Sequence, residues 1–269
     1  MNTDNLTFII HIRKDTEERK KNANIVIPYY KTIAPNSKFI VVEDDTKKEF
    51  EYLADHNNIQ YIHTNNNQNY NKCKSYNIGL THATTEIVCF LDIDCIISKQ
   101  NLYKALETVL KSDCVSIGYN GISIYLSYLA KEQIKNAQLI NLYEHFDTLV
   151  DRSNIYNEFT NDNYHIGNTK AVGGVVIGRN NTFTSVGGFN PNFTGWGYED
   201  NEIIVRMHKL GIPVFYTNTD KPYLFHLPHI DVEKNEVKNH SFYKSNEAEY
   251  LKILSFSESE LTNYINSWK

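Results

Sequence analysis

The chain has 269 residues, 41% of them hydrophobic and 22% charged, with a formal net charge of −5. That length suits one large α/β domain or two small ones, and the composition excludes disordered, fibrous and collagen-like chains. The acidic balance argues against a nucleic-acid partner, because neutralising phosphates needs a clustered Lys/Arg surface.

The local basic run Arg19-Lys20-Lys21 reads as a solvated helix face. Four cysteines, Cys73, Cys89, Cys95 and Cys114, form no CxxC pair. They read as buried free thiols, which favours a reducing compartment. The polar opening Met1 to Asn5 leads straight into a strand-like run, and no apolar run is long enough to span a membrane. The expectation is a cytoplasmic protein with no signal peptide and at most peripheral contact at the inner face of a membrane.

Leu6 to Ile12 (LTFIIHI) reads as a buried strand ending at Arg13. Asp15 to Ile33 is a charged helix closed by Pro35. Phe39 to Val42 is a second strand, running into Glu43-Asp44-Asp45, and Ile59 to His63 a third. Lys72 to His82 suits a helix and Ile87 to Leu91 (IVCFL) a fourth buried strand. Strands spaced by helices imply βαβ units with a parallel sheet, and ligands in such sheets bind beyond the carboxyl ends of the strands. Arg13, Asp44 and Asp92 all fall at those ends.

Further on, Asn101 to Leu110 reads as a helix, Cys114 to Ile117 as a strand and Leu126 to Phe146 as helical. Ser153 to Lys170 is loop-like, Gly173 to Gly211 is punctuated by glycines, and the polar tail from Glu233 holds a helix at Glu247 to Phe256. One domain is the simplest organisation: a nucleotide-binding half (1–98), an acceptor-binding half (99–232) and a C-terminal helical tail (233–269).

Two carboxylates at i and i+2, Asp92 and Asp94, follow the apolar strand IVCFL. Aspartates are costly to bury unpaired, so both can leave the sheet and face one hard cation, Mn²⁺ or Mg²⁺, bridging to a diphosphate. In the run GGFNPNFTGWGYED, glycines permit tight turns and Trp196 offers a flat face to a sugar ring. Glu199 and Asp200 follow at the start of a helix running Asn201 to Leu210. They read either as helix caps or as an acceptor site in which one carboxylate takes the proton of the attacking hydroxyl. His226 and His229, three apart, join the acidic pair as candidate metal ligands.

Together these pieces resemble the inverting glycosyltransferases of the GT-A fold, in particular the beta-1,4-galactosyltransferases and the bacterial chondroitin-polymerase-like galactosyl and hexosaminyl transferases. The resemblance lies in GGV, GGFN and GWGYED within Gly173 to Gly211, in Asn77-Ile78-Gly79 before the DxD, and in His11-Ile12-Arg13. It implies a Rossmann-like, mostly parallel central sheet flanked by helices. It also implies transfer of a hexose or N-acetylhexosamine from a UDP-sugar donor to a hydroxyl of a glycan acceptor, with inversion. By resemblance, Arg13 and Asp44 contact uridine, and Lys72 stands near the nucleotide where the family often has arginine. Asp92 and Asp94 hold metal and diphosphate, Asp94 more directly, and Trp196 lines the donor–acceptor boundary. Glu199 binds acceptor or donor sugar, Asp200 is the catalytic base, and His226, with His229 as its rival, completes the metal sphere. The chain departs at Tyr198, where galactosyltransferases commonly carry a second glycine, so this ring enters the acceptor site as a bulkier neighbour. Three other readings stay open: a retaining GT-A transferase, a nucleotidyltransferase and a non-catalytic carbohydrate-binding module.

Overall fold

A computed structural model describes residues 2–14, 16–136, 138–150, 162–168, 170–229 and 242–268. Strand β1 (Leu6–Ile12) is buried at every position, as a strand covered on both faces must be. Its one hydroxyl, on Thr7, is matched by Thr85 at 2.6 Å. Helix α1 (Glu17–Ile33), capped by Thr16, crosses to β2 (Lys38–Glu43), and β3 (Ile59–His63) follows. Helix α2 (Lys72–His82) leads into β4 (Ile87–Asp92), and a tight turn into β5 (Cys95–Ile97). Next come α3 (Lys99–Lys111), β6 (Val115–Ile117) and β7 (Ser123–Leu126). Helices α4 (Tyr128–Glu132) and α5 (Leu142–Thr148), strands β8 (Tyr164–Asn168) and β9 (Val175–Arg179), and α6 (Asn180–Ser185) follow. The described chain ends with α7 (Glu199–Lys209), β10 (Val214–Tyr216), β11 (Leu224–His226), α8 (Tyr243–Ser255) and α9 (Glu258–Asn266).

The main sheet has the order β10-β6-β9-β4-β1-β2-β3. All of it runs parallel except β9, which pairs antiparallel with β4 on one side and β6 on the other. A four-stranded sheet, β5-β11-β7-β8, stands beside it. Helix α2 lies close on β1 because Gly79 permits it: a Cβ there would lie 2.2 Å from Ile9 Cγ2. Two residues earlier, the Asn77 amide brackets Phe189, accepting its N–H and donating to its carbonyl, both at 2.7 Å. The Asn-x-Gly spacing therefore ties the GGFN turn to the sheet. No described helix is long and apolar enough to cross a membrane, and all four cysteines are buried free thiols.

Three elements differ from expectation. Leu126 to Phe146 is not one helix: Leu126 closes β7, Ser127 caps α4, and two short 3₁₀ turns at Gln133–Asn136 and Leu139–Asn141 precede α5. Asn141, a residue type whose side chain competes with the helix for backbone groups, stands at the second of those turns. Within the loop-like Ser153 to Lys170, residues 162–168 carry strand β8, while 153–161 lie outside the described residues. The tail holds two helices rather than one. The Ser257-x-x-Glu260 capping box opens the second; residues 233–241 lie outside the described residues.

Candidate active site

The carboxyl ends of β1 and β4 open on a cleft of about 430 Å³. Lys72, the first residue of α2, is buried at its centre, on a turn capped by Asn71. Its ammonium lies 3.2 Å from Asp92, 3.1 Å from Asp200 and 3.7 Å from Glu199. Burial works against that charge, but Asp200, Asp92 and Glu199 together lift the Lys72 pKa well above its usual value. The group stays an ammonium. Asp92 also accepts a hydrogen bond of 2.6 Å from Tyr76, whose hydroxyl is kept protonated by burial and by the Asp92 charge. Asp92 at the end of β4 and the acidic pair opening α7 thus meet at one shared ammonium.

The two α7 carboxylates differ. Burial, then the Asp200 charge, pushes Glu199 up to about 7, and one of its oxygens accepts the Gly197 N–H at 2.9 Å. Asp200 is also raised by burial, with Lys72 pulling the other way. Its side chain is 26% exposed against 7% for Glu199, so Asp200 is the more open of the two carboxylates. Gly173 lies against it: a Cβ there would come within 2.0 Å of Asp200 Oδ2. The Tyr119 hydroxyl holds that glycine's carbonyl at 2.8 Å.

Asp94 sits across the cleft in the β4–β5 turn, its backbone carbonyl accepting the Leu227 N–H at 2.8 Å. Its buried carboxylate pairs with Arg19, with His226 at 3.5 Å and with His229 at 3.1 Å. Although burial opposes ionisation, His226, Arg19 and His229 hold Asp94 well below the usual carboxylate range. His226 Nδ1 donates to the Leu227 carbonyl at 3.0 Å, which leaves Nε2 directed at Asp94. A proton or a cation must lie between two such lone pairs. Asp94, Cys95 and His226 offer donor atoms within 4.8 Å of one another. The carboxylate and imidazole suit a divalent ion of the Mn²⁺ type; the thiol is a softer donor.

Arg13, Lys72, Asp92, Asp94, Trp196, Glu199, His226 and His229 all line this cleft. Asp44 is buried at one side of it and engaged by Thr64, Asn66 and the Asn71 N–H. It lines a neighbouring groove formed by residues 64–69 and α2. Arg13 donates to the Gln68 carbonyl at 3.1 Å. Trp196 is 44% exposed. Tyr198, expected among acceptor contacts, turns its ring away from the cleft onto α8. The DxD carboxylates divide their partners, Asp92 facing Lys72 and Asp94 facing Arg19 and the histidines, rather than converging on one point.

Sequence reasoning missed Arg19, which turns inward while Lys20 and Lys21 stay outside. One signal was available. A cation in the first turn of a helix opposes the helix dipole, and the helix after β1 starts at the ligand-binding rim. His11 was also unassigned: burial lowers its pKa to about 4, and neither ring nitrogen has a hydrogen-bond partner among the described residues.

This fold, a mostly parallel sheet with one reversed strand and a carboxylate-lined cleft at its carboxyl rim, is that of the GT-A glycosyltransferases. The chain belongs to the glycosyltransferase like family 2, whose model matches residues 7–255. Among solved structures it is similar to GalNAc-T7 crystallised with UDP, GalNAc and Mn²⁺, at 12% identity and a TM-score of 0.58, over 92% of this chain and 47% of that one. It is also similar to the mannosyltransferase PcManGT from Pyrobaculum calidifontis in complex with GDP-Man and Mn²⁺, at 12% identity and a TM-score of 0.55, over 92% and 64% of the two chains. A mutant Drosophila beta-1,4-galactosyltransferase 7 with manganese, UDP-Gal and xylobiose matches at 15% identity and a TM-score of 0.48, over 86% and 72%. The chain spans about half the length of the first of these and under two thirds of the second. No curated protein matches it in sequence.

Proposed function

We propose that the chain is an inverting glycosyltransferase that moves a hexose or N-acetylhexosamine from a UDP-sugar to a hydroxyl of a glycan acceptor. The observation that carries this reading is the Lys72 ammonium held between Asp92 and Asp200 at 3.2 and 3.1 Å. It brings a donor-side carboxylate and a base candidate to one point. Asp94 and His226 would hold Mn²⁺ or Mg²⁺, and His229 orients Asp94 from its other oxygen. When bound, that cation neutralises the charge that builds on the departing diphosphate. Arg13, Lys72 and Asp44 supply the nucleotide side. Trp196 bounds the sugar-binding space, and Glu199, with its raised affinity for a proton, offers a hydrogen bond to a sugar hydroxyl. Asp200, the more exposed carboxylate, takes the proton of the attacking hydroxyl, while Lys72 keeps it ionised enough to do so. Direct attack opposite the leaving group inverts the anomeric centre and needs no covalent sugar–enzyme intermediate.

The test is a panel of UDP-sugars (galactose, glucose and their N-acetylamino forms) incubated with Mn²⁺ and acceptor glycans, with product configuration read by NMR. Inverted product supports the proposal. Retained configuration overturns the base role of Asp200, and a chain that neither transfers nor hydrolyses any donor is a binding module instead. Asp200→Asn is expected to lower kcat by about 10²–10⁴-fold with UDP affinity preserved; collapse of UDP affinity in parallel would refute the base assignment. His226→Ala is expected to weaken Mn²⁺ binding at least about tenfold in a calorimetric titration, and an unchanged titration moves the ligand role to His229.

A further inference from the structure

Tyr198 has a φ of 65°, just after Gly195 at 67° and Gly197 at 117°. An aromatic residue rarely adopts this left-handed conformation, and α8 holds it there. The Tyr198 hydroxyl donates to Glu247 at 2.9 Å and lies 3.1 Å from the Tyr243 hydroxyl. Its ring stacks on Tyr250 with centroids 5.1 Å apart. From the same helix, the buried Asn246 amide donates to the Thr194 carbonyl at 2.9 Å and the Trp196 carbonyl at 3.3 Å, and accepts the Thr194 N–H at 3.3 Å. Tyr243 stacks on the Trp196 indole, rings 6.3 Å apart and inclined by 20°. Positions 243, 246, 247 and 250 form one helix face, and that face meets Thr194, Trp196 and Tyr198, the whole approach to Glu199 and Asp200.

We propose that α8 is a positioning helix for the acceptor side of the site, with Tyr198 and Asn246 as its positioning residues. Tyr243 covers one face of Trp196, so the opposite face is presented to a sugar ring in the cleft. The Tyr198 side chain tethers to α8 the backbone position that immediately precedes both α7 carboxylates. The tyrosine thus replaces the backbone ease of a glycine with a side-chain tether. The inference rests on the transferase reading, whose acceptor half it makes specific.

A Trp268→Phe background leaves Trp196 as the sole tryptophan, since the chain has two. In that background, Asn246→Ala and Tyr198→Gly are expected to raise acrylamide quenching of Trp196. They should lower kcat/KM for acceptor about 10–100-fold while the UDP affinity measured with Mn²⁺ stays within about twofold. Tyr198→Phe, which keeps the ring but loses both hydroxyl links, should fall between wild type and Tyr198→Gly. Unchanged quenching and kcat/KM in Asn246→Ala and Tyr198→Gly would overturn the proposal. So would a parallel loss of UDP affinity, which would make these residues general supports of the fold. A wild-type chain that neither binds UDP nor transfers sugar would sink the transferase reading, while a rise in quenching would still support the positioning role of α8.

Discussion

Glu199 is the residue whose surroundings bear most directly on stability. Its carboxyl is buried beside Asp200, and its folded pKa of about 7 stands above the ordinary 4.5. Folding therefore favours its protonated form. That contribution is complete below pH 4.5, declines as pH rises through the window from 4.5 to 7, and leaves a charged, buried group above it. At 1.36 kcal/mol per pKa unit, the change across the window is on the order of 3 kcal/mol. Glu199→Gln keeps an acceptor for the Gly197 N–H and removes the charge. The difference in Tm between Glu199→Gln and wild type is expected to grow in favour of the variant from pH 5 to pH 8; a constant difference would show that Glu199 does not titrate in this window. At this scale the gathering of Asp92, Asp94, Glu199 and Asp200 in one cleft was legible in part, because carboxylates at strand ends fall on the rim where ligands bind, although a pair that opens a helix also serves as its cap. Lys72 was legible only as a neighbour of the nucleotide. That its ammonium would join Asp92 to Asp200 depends on α2 and α7 meeting across 128 residues of sequence, which no local pattern encodes.

Tyr198 shows how a residue and an element share a cost. The left-handed conformation costs a non-glycine residue about 1–2 kcal/mol, and the bonds and ring contacts from α8 offset it. Gly79 shows the opposite case. Alanine would favour α2 by about 1 kcal/mol through helix propensity, yet its Cβ would lie 2.2 Å from Ile9 Cγ2 on the central strand. Overpacking of that kind costs about 1–3 kcal/mol, so Gly79→Ala is expected to lower Tm, and a raised Tm would mean that α2 can lift from β1 without loss. Elements with one strong signal were readable: IVCFL as a central strand, Lys72 to His82 as a helix, and the helix after Tyr198 to within two residues. Elements held by tertiary contacts were not. Tyr164–Asn168 lies in a longer Asn/Asp-rich stretch and is a strand because β7 pairs with it, and α4 and α5 are too short to show a period.

For the molecule as a whole, alternation of strands and helices was enough to predict that the first four strands join a parallel sheet, though not their order β3-β2-β1-β4. It did not predict that β9 enters antiparallel between β4 and β6, because direction is set by the connection rather than by composition. That single reversed strand carries a consequence for how the chain is made. β4 ends at Asp92, and its outer neighbour begins at Val175, about eighty residues later. On a ribosome the first four strands emerge well before the strand that seals them, exposing an apolar edge of Val88, Cys89, Phe90 and Leu91 with unpaired backbone groups. A fragment ending at residue 98 is therefore expected to aggregate rather than bind UDP, as light scattering and UDP titration would show; a soluble, UDP-binding fragment would contradict this. Residues 1–98 thus carry four strands of the main sheet but lack the strand that pairs with the open edge of β4 until β9 arrives.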